Sequence, residues 1–145
     1  MILIVDDSRT VTATMRAELE AAGWQVSTAS TMSEAKTRIL RAGKDWQLEG
    51  VVLDMVLPDG DGRELLTWIA GILPSVPVLV CTGHESIGLA VDTMRRGAAG
   101  VIAKADIPLG LLAVKLREAI EYRHRMRTAA DMERSIRTAQ EGEDG

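Results

Sequence analysis

The sequence predicts an α/β protein built on a doubly wound, five-stranded parallel sheet with strand order 2-1-3-4-5. Three observations predict it. Five short runs rich in Val, Ile and Leu recur along the chain, the segments between them carry apolar residues at helical spacing, and four of the five runs are nearly continuous in apolar character. Alternating strand and helix signals form the α/β pattern, and unbroken apolar strands are those covered on both faces by helices. Short loops between the units suit right-handed crossovers in an open sheet.

The elements follow in order. Ile2–Val5 is the first strand, and Val11, Met15, Leu19 and Ala22 form the stripe of a helix that Gly23 stops. Gln25–Ala29 is a weaker strand. Thr31 with Glu34 makes a capping box for a second helix carrying Ala35, Ile39 and Ala42 and ending at Gly43. Val51–Leu53 is the third strand, and Leu65, Leu66, Ile69, Ile72 and Leu73 mark a helix closed by Pro74. Val76–Cys81 follows as the fourth strand, then a helix striped by Ile87, Val91 and Met94 and closed by Gly97. Val101–Ala103 is the fifth strand, and Leu109, Leu112, Leu116 and Ile120 mark the fifth helix.

These units occupy residues 1–122 of 145, and the charged stretch 123–145 is expected to prolong the last helix and then fray. Its heptad pattern is broken, and Arg123, Arg125 and Arg127 around His124 have Glu118, Glu121, Asp131 and Glu133 nearby, as on a solvated face. At 46% hydrophobic and 26% charged residues the chain can bury a core, while no apolar run reaches membrane-spanning length. MILIVDD carries no leader signal, so a cytoplasmic setting and no membrane association are expected. A net charge of −4, with the acid surplus confined to residues 1–114, gives no basic domain for direct nucleic-acid binding. Cys81 has no second cysteine to pair with and reads as a small buried hydrophobe.

Carboxyl ends of parallel strands share one sheet edge, where open α/β folds bind ligands. Asp6 and Asp7 follow the first strand, Asp54 the third, Thr82 the fourth and Lys104 the fifth. Three converging carboxylates repel one another, and a bound cation is the usual remedy. Because every candidate ligand is a hard oxygen, Mg2+ is preferred, with Mn2+ as a substitute. A carboxylate there can attack phosphorus, Lys104 can neutralise the transferring oxygens, Thr82 can donate a hydrogen bond, and Gly83 leaves room for the phosphoryl group.

Asp6-Asp7, Asp54 at the head of DMVLPDGDG, Thr82-Gly83 and Lys104 after GAAGVIA together make residues 1–122 resemble the receiver domain of two-component response regulators. The resemblance implies the flavodoxin-like receiver fold and a phosphoprotein of signal transduction that takes a phosphoryl group on Asp54 as an aspartyl phosphate. The donor is a histidine kinase or, in a phosphorelay, a histidine phosphotransfer protein. It implies a metal held by Asp7, Asp54 and the backbone carbonyl of Val56, with Asp6 acting mainly through metal-bound water. It further implies that Val56 and His84 tune dephosphorylation, and that the face of the fourth helix, fifth strand and fifth helix binds an output domain, partner protein or second copy. Such a protein catalyses only its own phosphorylation and dephosphorylation and is not otherwise an enzyme.

Two family features are replaced. Val101 occupies the switch-aromatic position, so activation is expected to rely on Thr82, Lys104 and the loop after the fourth strand. Ala105 replaces the proline after the lysine, so a non-proline cis bond or a rearranged loop is expected at Lys104–Asp106, with the cis bond preferred because it aims the lysine. Taken singly, these residues have plainer uses: Asp6, Asp7 or Ser8 as a helix cap, Thr82 as a strand-end hydroxyl, Lys104 as a solvated charge, His84 as an exposed loop residue. Asp59 and Asp61 are expected to shape the turn and cap the third helix, and Trp24, Trp46 and Trp68 to pack. The competing reading is a magnesium-dependent phosphatase or phosphotransferase using an aspartyl-phosphate intermediate. Adjacent acids on the first strand and a nucleophile on the third speak against it. A flavin carrier would want a glycine- and hydroxyl-rich phosphate loop where DDSRT stands.

Overall fold

The computed structural model describes residues 1–42, 47–83 and 87–143. The strands β1 (Ile2–Val5), β2 (Val26–Ala29), β3 (Gly50–Asp54), β6 (Val78–Thr82) and β7 (Gly100–Ala103) form one parallel sheet in the order β2-β1-β3-β6-β7. Counting only these five, the order is the expected 2-1-3-4-5. Strands β4 (Val56–Leu57) and β5 (Gly60–Asp61) make a small antiparallel hairpin that the sequence did not suggest. The helices are α1 (Arg9–Ala21), α2 (Met32–Ala42), α3 (Gly62–Ile72), α4 (Ile87–Arg95) and α5 (Leu111–Glu143).

Successive strand residues point to opposite faces, so the continuous apolar runs feed two cores. Leu3, Val5, Val51, Leu53, Val78 and Val80 pack with Met32, Ala35, Leu65, Leu66 and Ile69 beneath α2 and α3. On the other face Ile2, Ile4, Val52, Leu79, Cys81 and Ile102 pack with Met15, Leu19, Leu112 and Leu116 of α1 and α5. Ser8 caps α1 by accepting from the Val11 amide at 3.3 Å, and Gly23 with φ of 101° ends the turn after it. Among the described residues no helix is long and apolar enough to cross a membrane.

Several local expectations change. Thr31 caps the Glu34 amide at 3.0 Å, but the Glu34 carboxylate returns to the amide and hydroxyl of Ser30. Asp61 caps α3 through the Arg63 amide, whereas Asp59 reaches across to α2 and accepts from the Met32 and Ser33 amides at 2.8 and 3.0 Å. The hairpin places Asp59 against α2, while Asp61 serves the Arg63 amide and the Met55 carbonyl serves that of Gly62 at the start of α3. Val91 and Met94, expected to face the core, are half exposed, while Thr93 is fully buried and bonds the Leu89 and Ala90 carbonyls at 3.0 Å. The buried side of α4 is thus the one carrying a self-satisfied hydroxyl. Trp24 and Trp68 are partly buried against the cores, beneath the charged groups of Arg117 and Lys36 respectively. Gly43 and Trp46 lie outside the described residues.

Arg123 is not part of a solvated stripe. Its guanidinium donates to the Pro74 carbonyl at 2.6 Å and the Gly97 carbonyl at 3.2 Å, tying α5 to the segments that follow α3 and α4.

Candidate phosphoacceptor and metal site

Register aligns the strand ends. Val5 pairs with Leu53, Asp54 with Cys81 and Thr82 with Ala103, so the residues that close β1, β3, β6 and β7 emerge at one edge. There Asp6, Asp7 and Asp54 each offer a carboxylate oxygen within 4.8 Å of the others. Asp6 and Asp54 are buried and Asp7 is exposed. Because Ser8 caps α1, neither neighbouring aspartate is needed as that cap.

Lys104 completes the cluster. Its Nζ lies 3.0 Å from Asp54 Oδ2 and 3.0 Å from Asp6 Oδ2. Asp54 Oδ1 accepts from the Val56 amide at 3.3 Å, and Asp6 Oδ1 accepts from the Ser8 amide at 2.8 Å. The ammonium sits off the direction of a well-formed hydrogen bond to Asp6 Oδ2, which has no hydrogen-bond partner among the described residues. A buried carboxylate oxygen without a hydrogen bond is costly. A hard divalent cation would take up that oxygen, and an all-carboxylate donor set suits it.

Burial pushes the Asp54 carboxyl above its ordinary range; the Lys104 and Val56 hydrogen bonds oppose this and the Asp6 charge adds to it. Burial alone would lower the Lys104 ammonium, but the hydrogen bond to Asp54 and the adjoining Asp6 and Asp54 carboxylates outweigh that and hold it above its usual value. The lysine therefore stays charged, facing a carboxylate whose ionised form is costly without a cation.

The preferred cis bond at Lys104–Ala105 is not found: the described residues contain no cis peptide. Residues Lys104–Leu109 form a 3-10 turn directly after β7 instead. That turn aims the lysine inward with a trans bond, so no proline is required. Val101 is partly buried against the core beneath α2 and α3. Thr82 is buried at the end of β6. Gly83 is exposed, and a methyl group there would meet nothing within 4 Å, so the space beside Thr82 is open. Val56 is 71% exposed at the mouth of the site. His84 lies outside the described residues.

Two features escaped the sequence reading. Gly62, the last residue of PDGDG, opens α3 with its amide on the Met55 carbonyl at 2.8 Å and its α-carbon against the Asp54–Met55 backbone. A second glycine two residues after Gly60 was the available signal. Arg63 bonds Asp61 and, at 3.3 Å, Asp92 of α4, while Arg96 bonds Asp92 at 3.1 Å and the Thr67 hydroxyl at 3.2 Å. This network ties α4 to the hairpin and borders a cleft of about 470 Å³ lined by Met55, Val56, Gly60, Arg63, Thr82 and Leu89.

The family model for the response regulator receiver domain matches residues 2–115. The C4-dicarboxylate transport transcriptional regulatory protein DctD of Rhizobium meliloti is 31% identical over 142 residues, which is 97% of this chain and 30% of that protein. The chain spans about a third or less of the length of DctD and of the similar curated regulators DctD of Pseudomonas aeruginosa and AlgB of Pseudomonas putida. A CheY-like receiver domain from Methanospirillum hungatei JF-1 superposes with a TM-score of 0.76 at 29% identity, covering 86% of this chain and 96% of that one. The beryllofluoride-activated NtrC4 receiver domain dimer gives 0.73 at 32% identity, covering 84% and 97%.

Proposed function

This chain belongs to the response regulator receiver family, and on that premise we propose that it accepts a phosphoryl group on Asp54 from a phosphohistidine donor. The single observation that carries this is the Lys104 ammonium, 3.0 Å from both Asp54 and Asp6 at the edge where the strand ends converge. A half-buried lysine between two carboxylates, with a third beside them, is arranged for charge that arrives with a substrate.

Asp54 is the nucleophile. One of its carboxylate oxygens forms a bond to phosphorus as the bond from phosphorus to the donor imidazole nitrogen breaks, and the departing nitrogen keeps the electron pair. Lys104 balances charge on the transferring oxygens, and the Thr82 hydroxyl donates to one of them. Gly83 and the open space beside it admit the group. Asp6, Asp7, Asp54 and the Val56 carbonyl would hold a divalent cation, Mg2+ by preference, whose charge when bound offsets that of the phosphoryl oxygens. Water attack on phosphorus later releases phosphate and restores the carboxylate. Val56 at the mouth controls how freely water arrives, and His84 joins it in that tuning.

Since the first relatives are transcriptional regulatory proteins about three times as long as this chain, the proposed setting is cytoplasmic two-component signalling. Residues 1–122 act as receiver and 123–145 as a helical connection. A histidine kinase or phosphotransfer protein meets the Asp54 edge, and an output partner reads the face of α4, β7 and α5. With Val101 unable to latch, the change is relayed through Thr82, Lys104 and the loop after β6.

Incubation with a radiolabelled small acyl phosphate and Mg2+ should label the protein at close to one phosphoryl per chain. Asp54→Ala should lose the label and EDTA should suppress it. Full labelling of Asp54→Ala would overturn the nucleophile. Sustained turnover of unrelated phosphomonoesters would make the protein a phosphatase instead.

A further inference from the structure

The chain between Asp54 and α3 folds into the β4–β5 hairpin, and the register of that hairpin decides which way Val56 faces. Val56 pairs with Asp61 and Leu57 with Gly60, while the Gly62 amide donates to the Met55 carbonyl at 2.8 Å. Along an antiparallel ladder, hydrogen-bonded and non-bonded pairs alternate. Because Met55 and Gly62 share a bond, Val56 and Asp61 form a non-bonded pair, and the amide and carbonyl of Val56 both point away from β5. They point toward the carboxylate edge, where the Val56 amide donates to Asp54 Oδ1 at 3.3 Å.

A slip of one residue would reverse that direction. Strands of two residues do not hold a register unaided, since even longer isolated hairpins are marginal in water. The hold comes from α2. Asp59, at the tip of the hairpin, accepts from the Met32 amide through Oδ1 at 2.8 Å and from the Ser33 amide through Oδ2 at 3.0 Å. These amides belong to the first turn of α2, which the helix itself leaves unpaired, and the Thr31 hydroxyl takes the next one, that of Glu34. Leu57 is buried in the same cluster as Met32, and a methyl group on Gly60 would stand 2.6 Å from Met32 Cε, so the hairpin lies directly on the start of α2.

These contacts differ in what they fix. The apolar contact of Leu57 is non-directional and tolerates sliding. Two hydrogen bonds from one carboxylate to successive amides are directional and allow a single placement of the tip.

We propose that Asp59 is a positioning residue for the cation site. By clasping the start of α2 through both carboxylate oxygens, it holds the hairpin in the register that turns the Val56 carbonyl toward Asp6, Asp7 and Asp54. The proposal rests on the reading of those residues as a divalent-cation site, to which Asp59 adds no ligand. Its effect is therefore on affinity for the cation and not on phosphoryl transfer once the site is filled.

Titration of the intact chain with Mn2+, followed by loss of the free-ion electron paramagnetic resonance signal, reads the site without a phosphoryl donor. Asp59→Ala should raise the dissociation constant about 10-fold or more, and Asp59→Asn, which keeps one acceptor oxygen, should fall between it and wild type. With a small acyl phosphate, the Mg2+ concentration for half-maximal labelling should rise by the same factor, while the rate at saturating Mg2+ stays within about twofold of wild type. Arg123→Ala cuts the tie to the Pro74 and Gly97 carbonyls, at the opposite edge of the sheet from the hairpin. It should lower the melting temperature and leave the dissociation constant unchanged, which separates a clasp on the site from a general loss of stability. A dissociation constant for Asp59→Ala within about twofold of wild type, or an equal rise from Arg123→Ala, overturns the proposal. So does labelling of Asp59→Ala that stays slow at saturating Mg2+. A wild-type chain that binds no Mn2+ overturns the cation-site reading and the proposal with it, whereas binding by wild type beside an unaffected Asp59→Ala overturns the clasp alone.

Discussion

Replacing Gly62 by alanine tests how tightly α3 is seated on β3, the strand that ends in Asp54. A methyl group at Gly62 would stand 2.8 Å from Met55 Cα, 3.1 Å from the Met55 carbonyl carbon, and closer still to the Asp54 carbonyl oxygen, where ordinary contact begins at about 3.4 Å. All three neighbours are backbone atoms and cannot rotate aside. Either α3 moves outward by about half an ångström or more, or the end of β3 moves with Asp54 on it. Overpacking of this kind costs about 1–3 kcal/mol. At roughly 4 °C per kcal/mol for a domain of this size, Tm should fall by roughly 4–12 °C. A methyl group at Gly71, in the same helix, meets nothing within 4 Å. Gly71→Ala should therefore stabilise by about 0.5–1 kcal/mol. Circular dichroism melts of both variants give the comparison, and phosphorylation of Gly62→Ala should slow by up to about 10²-fold as Asp54 is displaced. A Tm for Gly62→Ala at or above wild type, or an equal loss from Gly71→Ala, would refute the close-approach reasoning.

Lys104→Met should fold yet be phosphorylated on the order of 10²–10³ more slowly, and an unchanged initial labelling rate would remove the lysine from the chemistry. The Met32 and Ser33 amides hold the Asp59 carboxyl below its ordinary range. A depressed folded-state pKa gives stability that is present above the unfolded value of about 3.9 and is lost as pH falls through the lower folded value. Asp59→Asn should therefore flatten the acid limb of the stability curve below about pH 4, and urea midpoints that fall as steeply as in wild type would count against the cap. Burial pushes the Cys81 thiol up to about 12, so maleimide at neutral pH should label the protein only as fast as it unfolds. Rapid labelling of the native chain would show that β6 is open to solvent.

Much of the site was legible because its residues are placed by rules that operate along the chain. Apolar runs name the strands, and in a parallel sheet the residues closing those runs share an edge, which brings Asp6, Asp54, Thr82 and Lys104 together without further information. The ends of the runs were less secure. Val76 reads as strand because it is apolar, yet β6 begins at Val78, after Pro77. Val91 and Met94 of α4 are half exposed where the spacing predicts core, because Thr93 hides its hydroxyl in its own helix and so fills an apolar position despite its polarity.

What the sequence determined by itself is the fold class, the strand order and the carboxylate edge, because periodicity and spacing are local properties that every copy of such a pattern must express. Tertiary structure alone decided the rest. A 3-10 turn rather than a cis bond aims Lys104, since the direction of a side chain after a strand depends on what the following segment packs against. Asp59 serves α2, Arg123 serves the carbonyls of Pro74 and Gly97, and Gly62 admits the backbone of Asp54 and Met55. Each of these is a contact between segments distant in sequence or brought face to face by a turn. A hydrogen bond or a steric limit acts on distance in space, which no pattern of residue types along the chain records.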